Sequence, residues 1–281
     1  MNILKIAIVG SLLIGGAALF IGTGSMLKLF NENKALELNK TYGSEKKITA
    51  EDIAHLPEPV QKYMNYVGFV NNELQYNSEV IWADSKIKLK PEQNWMDLQT
   101  LQFNSVQEPM RVAYMKGRMF GLPVEVREVL QAGSGNMRGK ISGIIPLFNT
   151  SDYEVIESGL LTILSEVPLV SGYILAEYIT WEPVDSTTAK ARLRYGDYDV
   201  SGTFFFNEKG EYIRFETAER NYELPTGGYK KEKWTIIVED YKDNGVYKHP
   251  VTVSAVWNLP EGDYTYWVGT ISEVKTNVGG N

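Results

Sequence analysis

The chain has no cysteine and only two histidines, His55 and His249, in 281 residues. It therefore forms no disulfide, carries no thiolate nucleophile and offers no thiolate to a metal, and so few imidazoles disfavour zinc. No cofactor and no metal are expected, and both histidines read as surface or packing residues. Enzyme signatures are scarce too: there is no G-x-S-x-G elbow, no Gly-rich phosphate loop, no H-E-x-x-H and no EF-hand series. The run Gly133-Ser-Gly-Asn is the composition of a turn between strands. Positive charge is short as well, with 28 Lys and Arg against 35 Asp and Glu. Residues 1–46 carry +2 and the other 235 carry −9, which argues against nucleic acid as a partner.

What is present begins at Ile6, where 21 residues to Met26 run without a charge between Lys5 and Lys28. That length crosses a bilayer, so residues 1–30 are expected to hold a single transmembrane anchor. A cleaved signal peptide is the rival reading, because Gly22 and Gly24 are small enough for a cleavage site, but the apolar run exceeds the usual signal core. Orientation is weakly encoded, with Lys5 on one side against Lys28, Lys34 and Lys40 on the other. By analogy with short N-terminal anchors, the expectation is a single-pass protein of the cell membrane with an extracytoplasmic domain. Residues 31–47 are polar and read as a tether or helix extension. Residues 48–277 then form a single β-rich domain, a normal size for such architectures, and 278–281 a disordered tail.

Inside that domain one stretch, Glu157 to Pro183, is the apolar helical signal in an otherwise strand-patterned chain. At about 100° per residue, Ile156, Leu160, Ile163, Leu164 and Val167 share a stripe, with Ser158, Thr162, Ser165 and Glu166 opposite. Thr49 with Asp52 three residues on, then Pro57 and Pro59, announces short helices ending near Gly68. From Trp95 the period changes to that of strands: WMDLQTLQF, RVAYMKGRMF and VEVREVLQA, then a Gly-punctuated NMRGKISGIIPLF, and six more after the helix. Along PVTVSAVWNL the residues Val251, Val253, Ala255, Trp257 and Leu259 make one dry face. The expected fold is mainly β, α+β: a curved antiparallel sheet or half-barrel wrapped around a central helix. An open sandwich with a helix on one edge is the alternative.

Three carboxylates, Glu157, Glu166 and Glu177, lie in or beside this most apolar segment. The plain expectation is a structural pair with an arginine such as Arg220; the alternative is acid–base catalysis by Glu166 or Glu177 with Arg220 or Lys140 as electrostatic support. Aromatic residues are frequent, at 12%. They read as sheet packing or as the lining of an apolar pocket formed by Leu160, Ile163 and Leu164 of the helix with Phe204, Phe206, Phe215, Trp257 and Tyr266 of the strands.

The segments ITAEDIAHLPEPVQKYMNYVG (48–68), GNMRGKISGIIPL (135–147), LLTILSEVP with ITWEPVD, VSGTFFFNEKGEYIRFETAER (200–220) and the closing AVWNLPEGDYTYWVG with Asn277 resemble an uncharacterised bacterial domain-of-unknown-function family. The resemblance spans roughly Ile48 to Asn277 and implies no activity. It implies an acidic position at Glu166, whereas Thr162, Leu169 and Ser171 depart from its Arg, Trp and Pro. The strand pattern is also similar to that of periplasmic lipoprotein-carrier half-barrels, which implies a curved sheet plugged by helices and holding acyl chains. Three functions follow as expectations. The first is a membrane-tethered binding module for an apolar ligand such as a lipid or acyl chain; the others are an acid–base hydrolase or isomerase, and an envelope protein-interaction module. The lack of catalytic signatures favours the first.

Overall fold

The computed structural model describes residues 24–40 and 46–279. The expected span Ile6–Met26 lies outside these apart from its last three residues, and among the described residues no helix is long and apolar enough to cross a membrane.

Thirteen strands form one antiparallel sheet. They are β1 Asn77–Ile87, β2 Met96–Ser105, β3 Met110–Met119, β4 Leu122–Gln131, β5 Ser134–Ile141, β6 Ile145–Thr150, β7 Ile179–Asp185, β8 Thr188–Tyr195, β9 Tyr198–Phe206, β10 Tyr212–Glu223, β11 Tyr229–Asp243, β12 Lys248–Leu259 and β13 Gly262–Thr276. In space they run β6-β5-β4-β3-β2-β1-β13-β12-β11-β10-β9-β8-β7, so two runs of successive hairpins meet where β1 pairs with β13. Register shifts in β1 after Trp82, in β10 after Thr217 and in β12 after Ala255 add bends of the kind that curl a sheet.

The helices are α1 Ser25–Leu38, α2 Ala50–Ile53, α3 Glu58–Val67, α4 Tyr153–Glu166 and α5 Ser171–Ile174. Helix α4 touches β4 and β5 from one half of the sheet and β8, β9 and β10 from the other, so it lies inside the curve and links the two halves. Leu160, Ile163 and Leu164 are all at most 1% exposed. Burying each of these side chains contributes about 1.5–3 kcal/mol. The half-barrel around a central helix is thus the observed fold. The helix is shorter than the apolar run suggests, because Pro168 cannot continue it: the chain turns through Val167–Leu169, makes the four residues of α5 and enters β7 at Ile179. Two strands lie outside the expected pattern: β1, before Trp95, and β7, which begins inside the apolar run Glu157–Pro183.

The convex face carries α1, within a stretch read from sequence partly as tether. Met26 and Phe30 sink into a second apolar cluster with Phe103, Met110, Val112 and Tyr114. A buried carboxylate holds each end of α1. Glu125 accepts from the Gly24 N–H at 2.7 and 2.8 Å, and from the Tyr114 hydroxyl at 2.9 Å. Glu37 accepts from Ser105 Oγ at 2.7 Å and lies 2.8 Å from Lys40 Nζ.

Candidate functional site

Residues paired across antiparallel strands share a face, and following the pairs places the concave surface. Val80, Gln102, Ala113, Glu128 and Met137 form one row across β1 to β5; Trp82, Thr100 and Met115 form the next. Between these rows and α4 lies a partly enclosed cavity of about 200 Å³. Its walls are mostly apolar, with Trp82, Trp234 and Trp267 among them, and Thr162, Ser165 and Glu166 of α4 close one side. The polar face of α4, opposite its apolar stripe, faces this cavity, because the sheet wraps the helix on both sides.

A partly buried polar network forms one pole of the cavity, with Gln102 fully buried within it. Arg111 of β3 donates through Nε to Glu166 at 3.1 Å and lies 3.2 Å from Glu128. Gln102 Nε2 donates to Glu166 at 2.7 Å, and Gln102 Oε1 accepts from Trp82 Nε1 at 3.1 Å and from Arg111 at 3.3 Å. Burial pushes the Glu166 carboxyl above the ordinary carboxylate range, against the opposing pull of Arg111 and Gln102. Burial works against the Arg111 charge, but Glu166 and Glu128 hold it protonated above its ordinary value.

A group whose folded pKa is raised contributes stability that is present below its unfolded value and is lost as pH rises through the folded one. The wild-type advantage in Tm over Glu166→Gln should therefore shrink as pH climbs from 4.5 toward the raised value. Parallel pH profiles of the two proteins by scanning calorimetry check this; parallel curves would place Glu166 at its ordinary value.

Arg220 sits at a second pole. Its guanidinium donates to the Ser158 carbonyl at 2.8 Å and to Thr162 Oγ1 at 2.9 Å, and stacks 4.0 Å from the Trp234 ring. Among the described residues no carboxylate lies in salt-bridge contact with it. Phe215 and Thr217 are buried while Arg214 and Glu216 point outward, and plain alternation would send Arg220 outward too. The register shift between Thr217 and Arg220 turns it into the cavity.

Of the residues expected from sequence, Glu166, Arg220 and Tyr266 line the cavity. Leu160, Ile163, Leu164, Phe204, Phe206 and Phe215 are buried in the core and do not line it; Phe204 and Phe215 meet edge to face at 4.9 Å. Trp257 lies behind the lining, 5.9 Å from Tyr266. Glu177 is exposed, and Lys140, paired with Glu125 across β4 and β5, is on the convex face. The expected pairing of a carboxylate with Arg220 is replaced by Glu166 with Arg111, and by Glu157 with Lys231 at 2.9 Å. Gln102, Arg111 and Glu128 were not anticipated. Among the described residues no group of acidic and histidine side chains could hold a metal ion.

The profile of a family described as a family of unknown function, DUF6544, matches residues 46–269. No curated protein matches the chain. Among solved structures it is similar to a domain described as an outer membrane lipoprotein-sorting protein from Vibrio parahaemolyticus, at 10% identity and TM-score 0.41, covering 73% of this chain and 87% of that one. It is also similar to a DUF1329 family protein from Desulfovibrio piger, at 9% identity and TM-score 0.37 over 74% and 88%. A third is a LolA superfamily protein from Nitrosomonas europaea, at 10% identity and TM-score 0.35 over 81% and 93%.

Proposed function

We propose that this chain, which belongs to the DUF6544 family of unknown function, is a membrane-tethered binding module for a small single-chain amphiphile. The observation that carries the reading is the cavity itself, apolar along its walls and cationic at Arg220. At about 200 Å³ it falls below the roughly 300–1,000 Å³ of drug-sized sites and above the roughly 150 Å³ that admits benzene. It suits one short acyl chain or the end of a longer one, with Met115 and Met137 in its lining as adaptable side chains. Thr100 Oγ1, also in the lining and buried, has no hydrogen-bond partner among the described residues, and a ligand oxygen would satisfy it. The tether rests on the uncharged run from Ile6 to Met26.

The full chain in amphipol should bind octanoate more tightly than octanol, read from the fluorescence of the cavity tryptophans. Ala255→Phe, which fills the space from β12, should weaken octanoate at least about tenfold, while overpacking costs about 1–3 kcal/mol of stability. Absence of saturable binding to the wild type would discard this reading.

A second reading, proton transfer by Glu166, draws on its raised carboxyl beside the cavity. Binding is the better account, because Arg111 and Gln102 already engage the carboxylate.

A further inference from the structure

We infer that one rim of the half-barrel, the ends of the β1–β2, β3–β4 and β5–β6 hairpins, docks on the surface of a bilayer containing anionic lipid. This rests in part on the proposed anchor, which orients the rim, and goes beyond it by assigning a second, peripheral contact. The three hairpin ends lie together: Ile87 pairs with Met96, Leu98 with Gly117, Gly117 with Val124, and Val124 with Ile141. They expose Leu89 and Trp95, Phe120 and Leu122, and Ile144 and Ile145. Large exposed apolar groups gathered on one rim mark a contact surface, and Trp95 among them is of a type enriched at membrane interfaces.

Phe120 gives the clearest sign of cost. It is 97% exposed, and with Gly121 it forms a two-residue turn at φ 52° and 80°. Such turns favour Asn-Gly, and a bulky side chain at positive φ is strained. Phenylalanine here gains nothing from the fold and is held in an unfavourable backbone conformation, a pattern found at functional sites.

Charge and chain path choose the occupant. Lys86, Lys88, Lys90, Lys116, Arg118 and Lys140 accompany these hairpin ends against Glu92, Asp97 and Glu125, the last paired across the strands with Lys116 and Lys140, on a protein of net charge −7. Basic residues close to an anionic leaflet each add attraction. Helix α1 runs from Gly24, held by Glu125 four residues past the β3–β4 turn, to Lys40 near Glu108 at the opposite rim. The chain thus enters the domain at the apolar, basic rim at Gly24, near the end of the uncharged run Ile6–Met26.

Because the chain has no cysteine, single-cysteine variants of the full chain can be labelled uniquely with an environment-sensitive fluorophore. Gly15→Cys reports the anchor, Leu122→Cys the rim and Gln107→Cys the opposite end of the same strands. In vesicles of phosphatidylcholine with phosphatidylglycerol, labels at 15 and 122 should be blue-shifted and quenched by nitroxide lipid, and the label at 107 should not. Adding Phe120→Asn should cut quenching at 122 several-fold without lowering Tm, since asparagine suits the turn. Omitting phosphatidylglycerol should also reduce it. Quenching at 15 with none at 122 overturns the docking and leaves the anchor; quenching at 122 with none at 15 does the reverse. A label at 122 shielded from water but untouched by lipid quencher indicates a protein contact and overturns the docking, and no quenching at either position removes both.

Discussion

Arg111→Met should destabilise the domain by about 3 kcal/mol and lower Tm by roughly 6–12 °C. The substitution keeps the length of the aliphatic stem but removes the cation that, among the described residues, faces both Glu166 and Glu128. Breaking a buried pair by deleting one partner costs about 3–5 kcal/mol, because a charge is left without compensation. The lower end applies, since the side chains of Arg111, Glu166 and Glu128 keep 11%, 15% and 23% of their exposure and water can reach the stranded carboxylates. Adding Glu166→Leu should recover the part of the loss that comes from Glu166, since replacing both members of such a pair by apolar groups is often neutral, and leaves Glu128, at 23% exposure, to water. Gln102 would keep the Asn104 acceptor at 3.1 Å. Urea denaturation of both variants decides the matter. A single variant within about 0.5 kcal/mol of wild type would show that the pair is solvated like a surface one.

This network also marks where sequence reading stops. The half-barrel was legible because strand alternation and turn chemistry are local, and because α4 has an apolar stripe that only a sheet could cover. What α4 presents on its other face was not legible: Thr162, Ser165 and Glu166 read simply as the polar side, and only the closure of β1–β5 around the helix makes them the wall of a cavity. In RVAYMKGRMF the two faces are Arg111, Ala113, Met115 and Val112, Tyr114. Both are mostly apolar, so alternation alone does not say which meets the cavity and which meets α1. Arg220 was singled out as a partner for a carboxylate, but its inward direction depends on a bulge that no residue type in TAERN announces. The aromatic residues Phe204, Phe206 and Phe215 were read as pocket lining and instead fill the core, because α4 packs directly on β9 and β10 and leaves no space there.

Gly172→Ala should cost about 3 kcal/mol or more, although alanine is the better helix former by about 1 kcal/mol. Gly172 is in α5, and a Cβ there would lie 2.1 Å from the Gln75 carbonyl oxygen and 3.1 Å from a Val106 methyl. The carbonyl is main chain, and reciprocal bonds hold its residue: the Gln75 N–H donates to Ser171 Oγ at 3.1 Å, and the Ser171 N–H donates to Gln75 Oε1 at 3.0 Å. Next to it the Tyr173 hydroxyl lies 2.7 Å from the Met110 carbonyl and 2.8 Å from that of Ser105. Relief of the overlap therefore needs α5 and the entry to β1 to separate, and the contacts that seat the end of α4 over β1–β3 go with them. Octanoate binding should weaken along with Tm, because Glu166 and Leu169, just before this clasp, line the cavity. Ser171→Ala, which removes one hydroxyl and adds no bulk, should cost only about 1 kcal/mol. If Gly172→Ala instead raises Tm, helix propensity outweighs the overlap, and the clasp between α5 and β1 is loose enough to yield.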